Sequence, residues 1–495
     1  MINNSIGIFV FRKDLRLHDN LGLIKLSQEC NKIIPIFILD DYQIEITNKN
    51  KYYRSNNAIQ FMCESLIDLD KQLNGKLNIF KGNPIDILEE LLKTLKNIIK
   101  LDYNKDLKLG FNCDYTKYAL ERDNLIVKVC NKYNISVINE PNDITLIPIN
   151  KLTKNNKNEA YINYGAFYKN AIKNDVNQII KNKFTNYIKL EFNSQIHIQN
   201  NKKLIKYLFN KNNLDTLYIN NIYLAQNGGR TRSLQKINNK DILNKYNSDS
   251  RDLLTFKSFE ISAALNFGCI SIREFYHIIK LNEIIAKQLY WRDYYLLILL
   301  YIQNGNSYTK FIDNRFNLIK WENNHNLWKL LIESKTGFLI IDAAMRELIK
   351  TGYIGNRTRL LLATFWIKYL IINPFHPKYG SHIGYSYYLV DCNASQNKLN
   401  HQWFIDLDLS GRRFHKKGCH SLTGRMMRID NEVIKKFDPE CIYIKKWLPE
   451  LKNIPNKDLY KWNNIIQKKY NIHYSPIFNW EERYRQYCKL FKDIK

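Results

Sequence analysis

The sequence predicts an N-terminal α/β domain with a doubly wound parallel sheet, followed by a large all-α domain. Almost continuous apolar runs at residues 5–11 and 33–39 predict buried parallel strands, because such strands are covered on both faces. Helical periodicities lie between and after these runs, and this alternation is typical of a doubly wound fold. From about residue 222 onward the apolar spacing is helical.

Further elements of the predicted sheet follow in the same alternating order. Residues 77–80, 107–111 and 135–138 are strand candidates, and residues 84–95 predict a helix that begins on proline. Parallel strands joined by helices imply right-handed crossovers. No Gly-x-Gly-x-x-Gly follows the first strand, so the usual dinucleotide fingerprint is absent from this domain.

Three regions follow from the change of pattern along the chain. Residues 1–148 form the α/β domain, and residues 149–221 form a connector rich in Asn and Lys, with short helices. Residues 222–495 form the helical domain. Its predicted helices cover residues 272–279, 284–301, 327–333, 338–348 and 357–370.

The composition indicates a polyanionic partner without identifying it. A formal net charge of +28 favours nucleic acid. The abundance of Asn, Ile, Lys and Tyr supports a second interpretation, in which the lysines are ordinary solvated surface residues. Charge alone leaves both open.

The cysteines and apolar segments predict a soluble intracellular protein without a metal site. The nine cysteines include no Cys-x-x-Cys pair, so we expect neither a disulfide framework nor a zinc site. His415, Cys419 and His420 lack a fourth ligand at conventional spacing. No apolar run reaches the roughly 20 residues that span a bilayer. The first residues do not form a signal peptide.

One polar constellation stands out in the helical region. Asn356 and Arg359 are three residues apart and lie on one face of a predicted helix. Asp391, Asn393 and Asn397 follow in a polar loop that can pair with them. The set can hold a polar, planar, partly anionic ring system. From these residues alone, a structural ion pair between Arg359 and Asp391 is the simpler interpretation.

The order of further motifs resolves this ambiguity. They lie at residues 9–20, 228–230, 246 with 251–252, 258–262, 266–271, 288–293, 336–346, 351–359, 389–397, 437–440 and 447–451. In this order the chain resembles the DNA photolyase/cryptochrome family of blue-light flavoproteins over nearly its whole length. The resemblance implies noncovalent FAD in the helical domain. It also implies a possible antenna chromophore, a folate or a deazaflavin, in the N-terminal domain, and the residues do not choose between them.

The resemblance assigns two groups of residues to FAD. Ser258 and Ser262, with Tyr246 nearby and Glu260 and Ile261 between the serines, would hold the pyrophosphate.

The second group would hold the isoalloxazine ring. Asn356 and Arg359 would face this ring, Arg359 being paired with Asp391, and Asn393 belongs to the same loop. Asn397 matches the position closest to the reactive ring nitrogen. Asparagine there is typical of repair enzymes, whereas plant cryptochromes carry an acid.

The resemblance also implies UV-damaged DNA as the partner of a monomeric protein. Trp291 and Trp403 would flank a flipped-out pyrimidine dimer, and photolyases are base-flipping enzymes. Gln288, one turn before Trp291, would hydrogen-bond the pyrimidines, although many relatives carry glutamate there. Arg251 and Arg357 would contact DNA. Without the resemblance, Trp291 would be interpreted as a core residue.

The predicted activity is light-dependent DNA repair, in which electron transfer from photoexcited FADH⁻ splits cyclobutane pyrimidine dimers. Residues 356–359 lack the histidine-containing segment of (6-4) photolyases, which favours the cyclobutane dimer. The alternatives are a (6-4) or single-strand-specific photolyase, or a cryptochrome-like blue-light receptor.

The electron chain that reduces the flavin in this family is interrupted here. Trp321 matches the outermost tryptophan, but His401 occupies the innermost position and residues 374–375 the middle one. We therefore expect a broken chain. The basic segment 407–424 either contacts DNA or forms a solvated loop, and both interpretations stay open.

Overall fold

A computed structural model describes ten stretches of the chain. They are residues 5–45, 54–99, 107–154, 160–161, 163–190, 202–247, 253–303, 318–393, 429–472 and 475–492.

The N-terminal strands form one five-stranded parallel sheet with the order β3-β2-β1-β4-β5. Ile6 of the central strand is in register with Lys32 on one side and Leu107 on the other. Every residue of that strand is buried, which explains its uninterrupted apolar sequence. The strands are β1 (Ile6–Phe11), β2 (Lys32–Leu39), β3 (Asn78–Lys81), β4 (Leu107–Asn112) and β5 (Ser136–Glu140). The predicted doubly wound sheet is confirmed.

In the described part of this domain, five helices accompany these strands. Asn20, Ser55 and Thr116 cap three of them by accepting a backbone N–H of the first turn. One begins on Pro84, as predicted. The helices are α1 (Leu21–Glu29), α2 (Asp41–Ile44), α3 (Asn56–Gln72), α4 (Pro84–Ile99) and α5 (Lys117–Lys132).

Short helices follow the sheet, and longer ones follow them, as the sequence predicts. In the connector they are α6 (Ile149–Leu152), α7 (Tyr164–Ala171), α8 (Lys202–Ile205) and a 3-10 segment, Lys211–Leu217. After it come α9 (Arg230–Ile237), α10 (Lys240–Lys245), α11 (Ser262–Asn266), α12 (Ile272–Ile279), α13 (Glu283–Gln303), α14 (His325–Ile332), α15 (Leu339–Thr351), α16 (Asn356–Thr364), α17 (Ser381–Tyr388), α18 (Asn431–Phe437), α19 (Ile442–Trp447), α20 (Asn456–Leu459), α21 (Asn464–Lys469) and α22 (Trp480–Lys492). A π-helical turn, Phe365–Tyr369, extends α16, and a 3-10 turn, Pro449–Leu451, follows α19.

The chain divides into two compact units. The first, which we call the sheet unit, holds Met1–Asn220, Gln226–Asn239 and Ile261–Asn306. The second, the helical unit, holds Asn221–Ala225, Lys240–Glu260 and Ser307–Lys495. The domain bounds at residues 148 and 221 were drawn from the change of sequence pattern and stay a prediction.

Buried charges explain why helices α11 to α13 belong to the sheet unit. Arg273 of α12 donates from Nε to Asp19 (2.9 Å) and from Nη1 to the carbonyl oxygen of Thr145 (3.0 Å). Asp293 of α13 accepts backbone N–H groups from Leu146 (2.9 Å) and Ile147 (3.1 Å). Each buried charge is thus satisfied by the sheet domain, and removing either partner would leave the other unpaired.

Within the described residues, no helix is long and apolar enough to cross a bilayer. The described residues also contain no group of three or more His, Cys, Asp or Glu side chains that could hold a metal ion. His415, Cys419 and His420 lie outside them. Of the eight cysteines that the structure describes, seven are free thiols and Cys488 is disulfide-bonded.

Candidate functional site

The first polar group of the predicted constellation lies where two helices of the helical unit meet. Helix α15 ends at Gly352, whose φ of +66° allows the left-handed turn that side chains disfavour. Helix α16 then begins at Asn356, so Asn356 and Arg359 occupy its first turn. The predicted common helical face is therefore confirmed. Asn356 itself is exposed.

Arg359 and Asp391 form the predicted ion pair. Nη2 of Arg359 donates to Oδ2 of Asp391 at 2.8 Å, and Nε donates to the carbonyl oxygen of Ile354 at 2.9 Å. The backbone N–H of Val390 donates to the carbonyl oxygen of Gly352 at 2.8 Å, which holds the Asp391 loop beside the start of α16. Burial lowers the pKa of Arg359, but Asp391 and then Tyr353 outweigh it, and the net shift is upward.

The ion pair leaves one carboxylate oxygen of Asp391 that can bind a further group. Oδ1 of Asp391 is buried and accepts no hydrogen bond from any residue that the structure describes. The side chain of Asp391 is 5% exposed, and that of Arg359 is 25% exposed. A buried carboxylate oxygen without a donor is costly. A ligand with a polar N–H group would remove that cost.

The predicted phosphate-binding segment lies partly in the helical unit. The hydroxyl groups of Ser258 and Tyr353 share a hydrogen bond, and burial raises the pKa of Tyr353 to about 12. Tyr246 packs edge-on against Phe256, with ring centroids 5.3 Å apart. Glu260 has a left-handed φ of +48°, a strained conformation for a residue with a side chain.

The remaining residues of this segment belong to the sheet unit. Ile261 is buried, and Ser262 begins helix α11. Nε2 of Gln226 donates to the Ser262 hydroxyl at 3.0 Å, while Oε1 of Gln226 accepts the backbone N–H of Ala263 at 2.9 Å. Gln226 was missed by sequence reasoning, because a lone glutamine in a loop carries no pattern.

The predicted substrate residues that the structure describes lie on helix α13 of the sheet unit. Gln288 is exposed, and Trp291 is half-buried one turn later. The ring of Tyr164 lies parallel to the indole of Trp291, with centroids 3.5 Å apart and planes 6° apart. Sequence reasoning missed Tyr164, since it lies in the connector, far from Trp291 along the chain.

The structure also describes three further predicted residues, whose roles stay predictions. The guanidinium of Arg357 lies over the ring of Phe437 at 4.9 Å, and Asn393 is half-buried beside Asp391 in sequence. Trp321 is half-buried.

Four predicted positions, Arg251, Asn397, His401 and Trp403, lie outside the described residues. So does the basic segment 407–424.

The sheet has its own crevice at the carboxyl ends of β1, β2 and β4, where ligands of doubly wound folds commonly bind. Arg12, Asp40, Arg54 and Arg122 line it, and the cavity is about 40 Å³. The residues that line this crevice do not identify an antenna chromophore, which stays a prediction.

Two protein families match this chain over separate ranges. Residues 8–181 match the family described as DNA photolyase, and residues 284–493 match the FAD binding domain of DNA photolyase.

Individual relatives cover almost the whole chain. It is 27% identical over 525 residues to the deoxyribodipyrimidine photo-lyase of Buchnera aphidicola subsp. Baizongia pistaciae, covering 99% of each. It is also 27% identical to Cryptochrome-1 of Anopheles gambiae, covering 92% of this chain and 84% of that one. Among solved structures, the archaeal photolyase from Sulfolobus tokodaii with two FAD molecules has a TM-score of 0.78 and 29% identity, covering 99% and 100%.

Together with these family matches, the parallel sheet domain and the helical domain with its buried arginine–aspartate pair indicate a light-driven flavoprotein. This chain belongs to the DNA photolyase/cryptochrome family. Its cofactor is FAD.

The residues present fit that cofactor. The ring system of FAD carries an imide N–H between two carbonyl oxygens. The open oxygen of Asp391 can accept such an N–H, and Arg359 can donate to a carbonyl oxygen beside it.

Proposed function

We propose that this protein is a light-driven DNA repair enzyme that splits cyclobutane pyrimidine dimers. The observation that carries the proposal is the Arg359–Asp391 pair, in which a buried carboxylate oxygen has no donor among the described residues. Reduced FAD, when bound and excited by light, would supply an electron that opens the cyclobutane ring, and the electron would then return to the flavin, so that the reaction has no net redox change. The protein contributes binding, orientation and electrostatics.

Arg359 and Asp391 orient the flavin end of the site. The guanidinium is fixed by two acceptors, the carbonyl of Ile354 and the carboxylate of Asp391. A fixed cation beside the ring favours an anionic reduced ring over a neutral one. Asn397 supports the same state, because an amide near the reactive nitrogen is a poor proton donor.

In this proposal, Trp291 and Gln288 bind the lesion. A flipped pyrimidine dimer stacks on the indole of Trp291, and Trp403 forms the other wall of the proposed clamp. A damaged pair costs less to extrude than an intact one. The amide of Gln288 both donates and accepts, so it can pair with the carbonyl and imide groups of pyrimidines.

The choice of lesion rests on residue types. The helix start at residues 356–359 presents an amide and two guanidinium groups and no imidazole. The proposed chemistry needs one electron and no acid at the lesion, as suits a cyclobutane dimer.

A repair assay under blue light with purified, chemically reduced protein tests the proposal. The substrates are duplex and single-stranded oligonucleotides that carry one cyclobutane dimer or one (6-4) product. We expect repair of the cyclobutane dimer in light and none in darkness. The lesion-free oligonucleotide and an unlit reaction serve as controls.

Each other result points to a different family function. Repair of the (6-4) product alone would overturn the lesion assignment, and repair of single strands alone would restrict it. Retained FAD with no repair of any lesion would favour a photoreceptor. Trp291→Ala or Trp403→Ala should reduce the preference for damaged DNA, and an unchanged preference in both would remove the aromatic clamp.

A further inference from the structure

Tyr164 covers one face of the tryptophan that the proposed function places against the lesion. It is the first residue of helix α7, and its ring is parallel to the Trp291 indole at a centroid distance of 3.5 Å. Its hydroxyl donates to the carbonyl oxygen of Lys287 at 3.0 Å, on the helix that carries Trp291. A partner for Trp291 can therefore stack only on the face that Tyr164 does not cover.

Local structure holds Tyr164 in this place. Asn163 caps α7 by accepting the backbone N–H of Gly165 at 2.8 Å, which fixes where the helix begins. Phe167, fully buried one turn later, packs against Tyr294 of α13 at a centroid distance of 5.3 Å. Helix α7 is thus anchored on α13, and the orientation of Tyr164 follows from that anchoring.

We infer that Tyr164 is a positioning residue that fixes the plane of Trp291 for a flipped pyrimidine. The inference rests on the proposed function, because it needs a base that stacks on Trp291. The indole also contacts the rings of Tyr294 at 5.6 Å and Tyr295 at 5.7 Å, but neither lies parallel to it, at 81° and 32°. Without the parallel ring of Tyr164 the indole could tilt, and base stacking would have to remove that freedom. The parallel tyrosine removes that freedom before DNA arrives, and preorganisation of this kind raises affinity for the correct ligand.

A purely structural role for Tyr164 makes a different prediction. Core packing affects stability and expression, and it does not distinguish damaged DNA from undamaged DNA. A positioning role changes the affinity for damaged DNA and the repair yield per absorbed photon at saturating DNA. It leaves the affinity for undamaged DNA and the FAD content unchanged.

The test compares Tyr164→Leu, which removes the ring plane, with Tyr164→Phe, which keeps the ring and loses only the hydroxyl. Tyr42→Leu is the matched control, since Tyr42 is another tyrosine of the sheet unit whose ring stacks on an aromatic ring, that of Tyr118 at 4.6 Å. Affinities for a duplex with and without one cyclobutane dimer are measured in darkness, followed by the repair yield. All variants are used with bound FAD and are checked for thermal stability.

We expect Tyr164→Leu to lose a factor of about two to ten in lesion preference, which is the usual value of an aromatic stack. Tyr164→Phe and Tyr42→Leu should stay close to wild type. Wild-type preference in Tyr164→Leu, or an equal loss in Tyr164→Phe, would overturn the inference while wild-type repair stands. If Tyr164→Leu does not fold, the Tyr164→Phe variant decides, since a loss there contradicts a role for the ring plane. A wild type with neither repair nor lesion preference overturns the proposed function itself.

Discussion

At the scale of single residues, the site depends on charges that are buried and only partly satisfied. Asp391 shares one carboxylate oxygen with Arg359 and keeps the other without a donor among the described residues. Glu347 on helix α15 is a half-buried carboxylate of the same unit, and it accepts a hydrogen bond from the hydroxyl of Tyr443 at 2.6 Å. A separate prediction follows for Asp391 and for Glu347.

Asp391→Ala should release most of the bound FAD. The change leaves the guanidinium of Arg359 without its carboxylate, a loss of roughly 3–5 kcal/mol for a buried pair. The measurement is the amount of FAD per chain released on denaturation. Glu450→Gln is the control, because Glu450 pairs with Arg346 at the surface of the same unit. Full FAD retention in both Asp391→Ala and Arg359→Ala would remove the pair from the cofactor site.

Glu347→Gln should stabilise the protein above neutral pH. Burial, opposed by Tyr443 and Lys446 and reinforced by Glu260, raises the pKa of Glu347 from 4.5 to about 7. A raised carboxyl pKa contributes stability that is complete below pH 4.5 and is lost as the pH rises through about 7. We expect the variant to match wild type near pH 4 and to exceed it by on the order of 1–3 kcal/mol at pH 8.

Urea unfolding at a series of pH values provides the measurement for Glu347→Gln. The quantity compared is the difference in unfolding free energy between variant and wild type at each pH. Glu450→Gln is again the control, and it should show little change at any pH. A difference for Glu347→Gln that stays constant from pH 4 to pH 8 would contradict the raised pKa.

At the scale of elements, a close approach of two segments positions the Asp391 loop. The fully buried Trp366 lies in the π-helical turn after α16, and its Nε1 donates to the carbonyl oxygen of Tyr379 at 2.7 Å. A side chain at Gly384 of α17 would place its Cβ 2.2 Å from the indole. Glycine there lets α17 pack on Trp366, and the chain then continues into the loop that carries Asp391.

Gly384→Ala should therefore destabilise the helical unit. The added methyl group has no room beside the indole, and overpacking of this kind costs about 1–3 kcal/mol. The midpoint temperature of thermal unfolding and the amount of FAD bound per chain should both fall. Gly355→Ala is the control, because its Cβ would meet nothing closer than the Thr358 hydroxyl at 4.0 Å. Equal stability of the two variants would contradict this account of α17.

Bound FAD that is oxidised should photoreduce poorly in the wild type. His401 and residues 374–375 replace tryptophan at two positions of the family's chain, and a neutral imidazole donates electrons far less readily than an indole. The rate of flavin bleaching under blue light with a thiol reductant measures this. Protein that is chemically reduced beforehand should still repair fully.

Rapid photoreduction of the oxidised flavin in the wild type would instead indicate another electron-transfer route. Trp366 bonds to the backbone of Tyr379, whose ring lies 5.2 Å from that of Trp328. Rapid photoreduction that is lost in Trp366→Phe would assign the electron path to these rings.

At the scale of the whole molecule, the net charge of +28 predicts that association with DNA depends strongly on salt concentration. Lys and Arg side chains that contact phosphates release counterions, so the logarithm of the dissociation constant should rise linearly with the logarithm of salt concentration. With about 6–10 phosphate contacts the affinity falls by roughly 10³–10⁵ between 50 and 200 mM salt. Damaged and undamaged duplexes should show the same slope, because both present the same phosphates. A salt-independent affinity would show that the lysines are merely solvated.

The strands, the main helices and one group of candidate site residues could be predicted from patterns in the sequence. All five strands were predicted, and β1 and β2 were recognised because continuous apolar runs report burial on both faces. The common helical face of Asn356 and Arg359 was also predicted, since helical spacing is a local property. The pairing with Asp391 followed from the order of motifs and is confirmed by the 2.8 Å contact.

Which helices and strands pack together could be seen only in the folded protein. Helices α11 to α13 have ordinary helical sequences, yet they belong to the sheet unit because Arg273 and Asp293 are satisfied there. The stack of Tyr164 on Trp291 and the contact of Tyr443 with Glu347 join residues distant in sequence. Periodicity records whether a face is buried and carries no information about the partner that buries it. That partner is fixed by packing, which the folded chain alone provides.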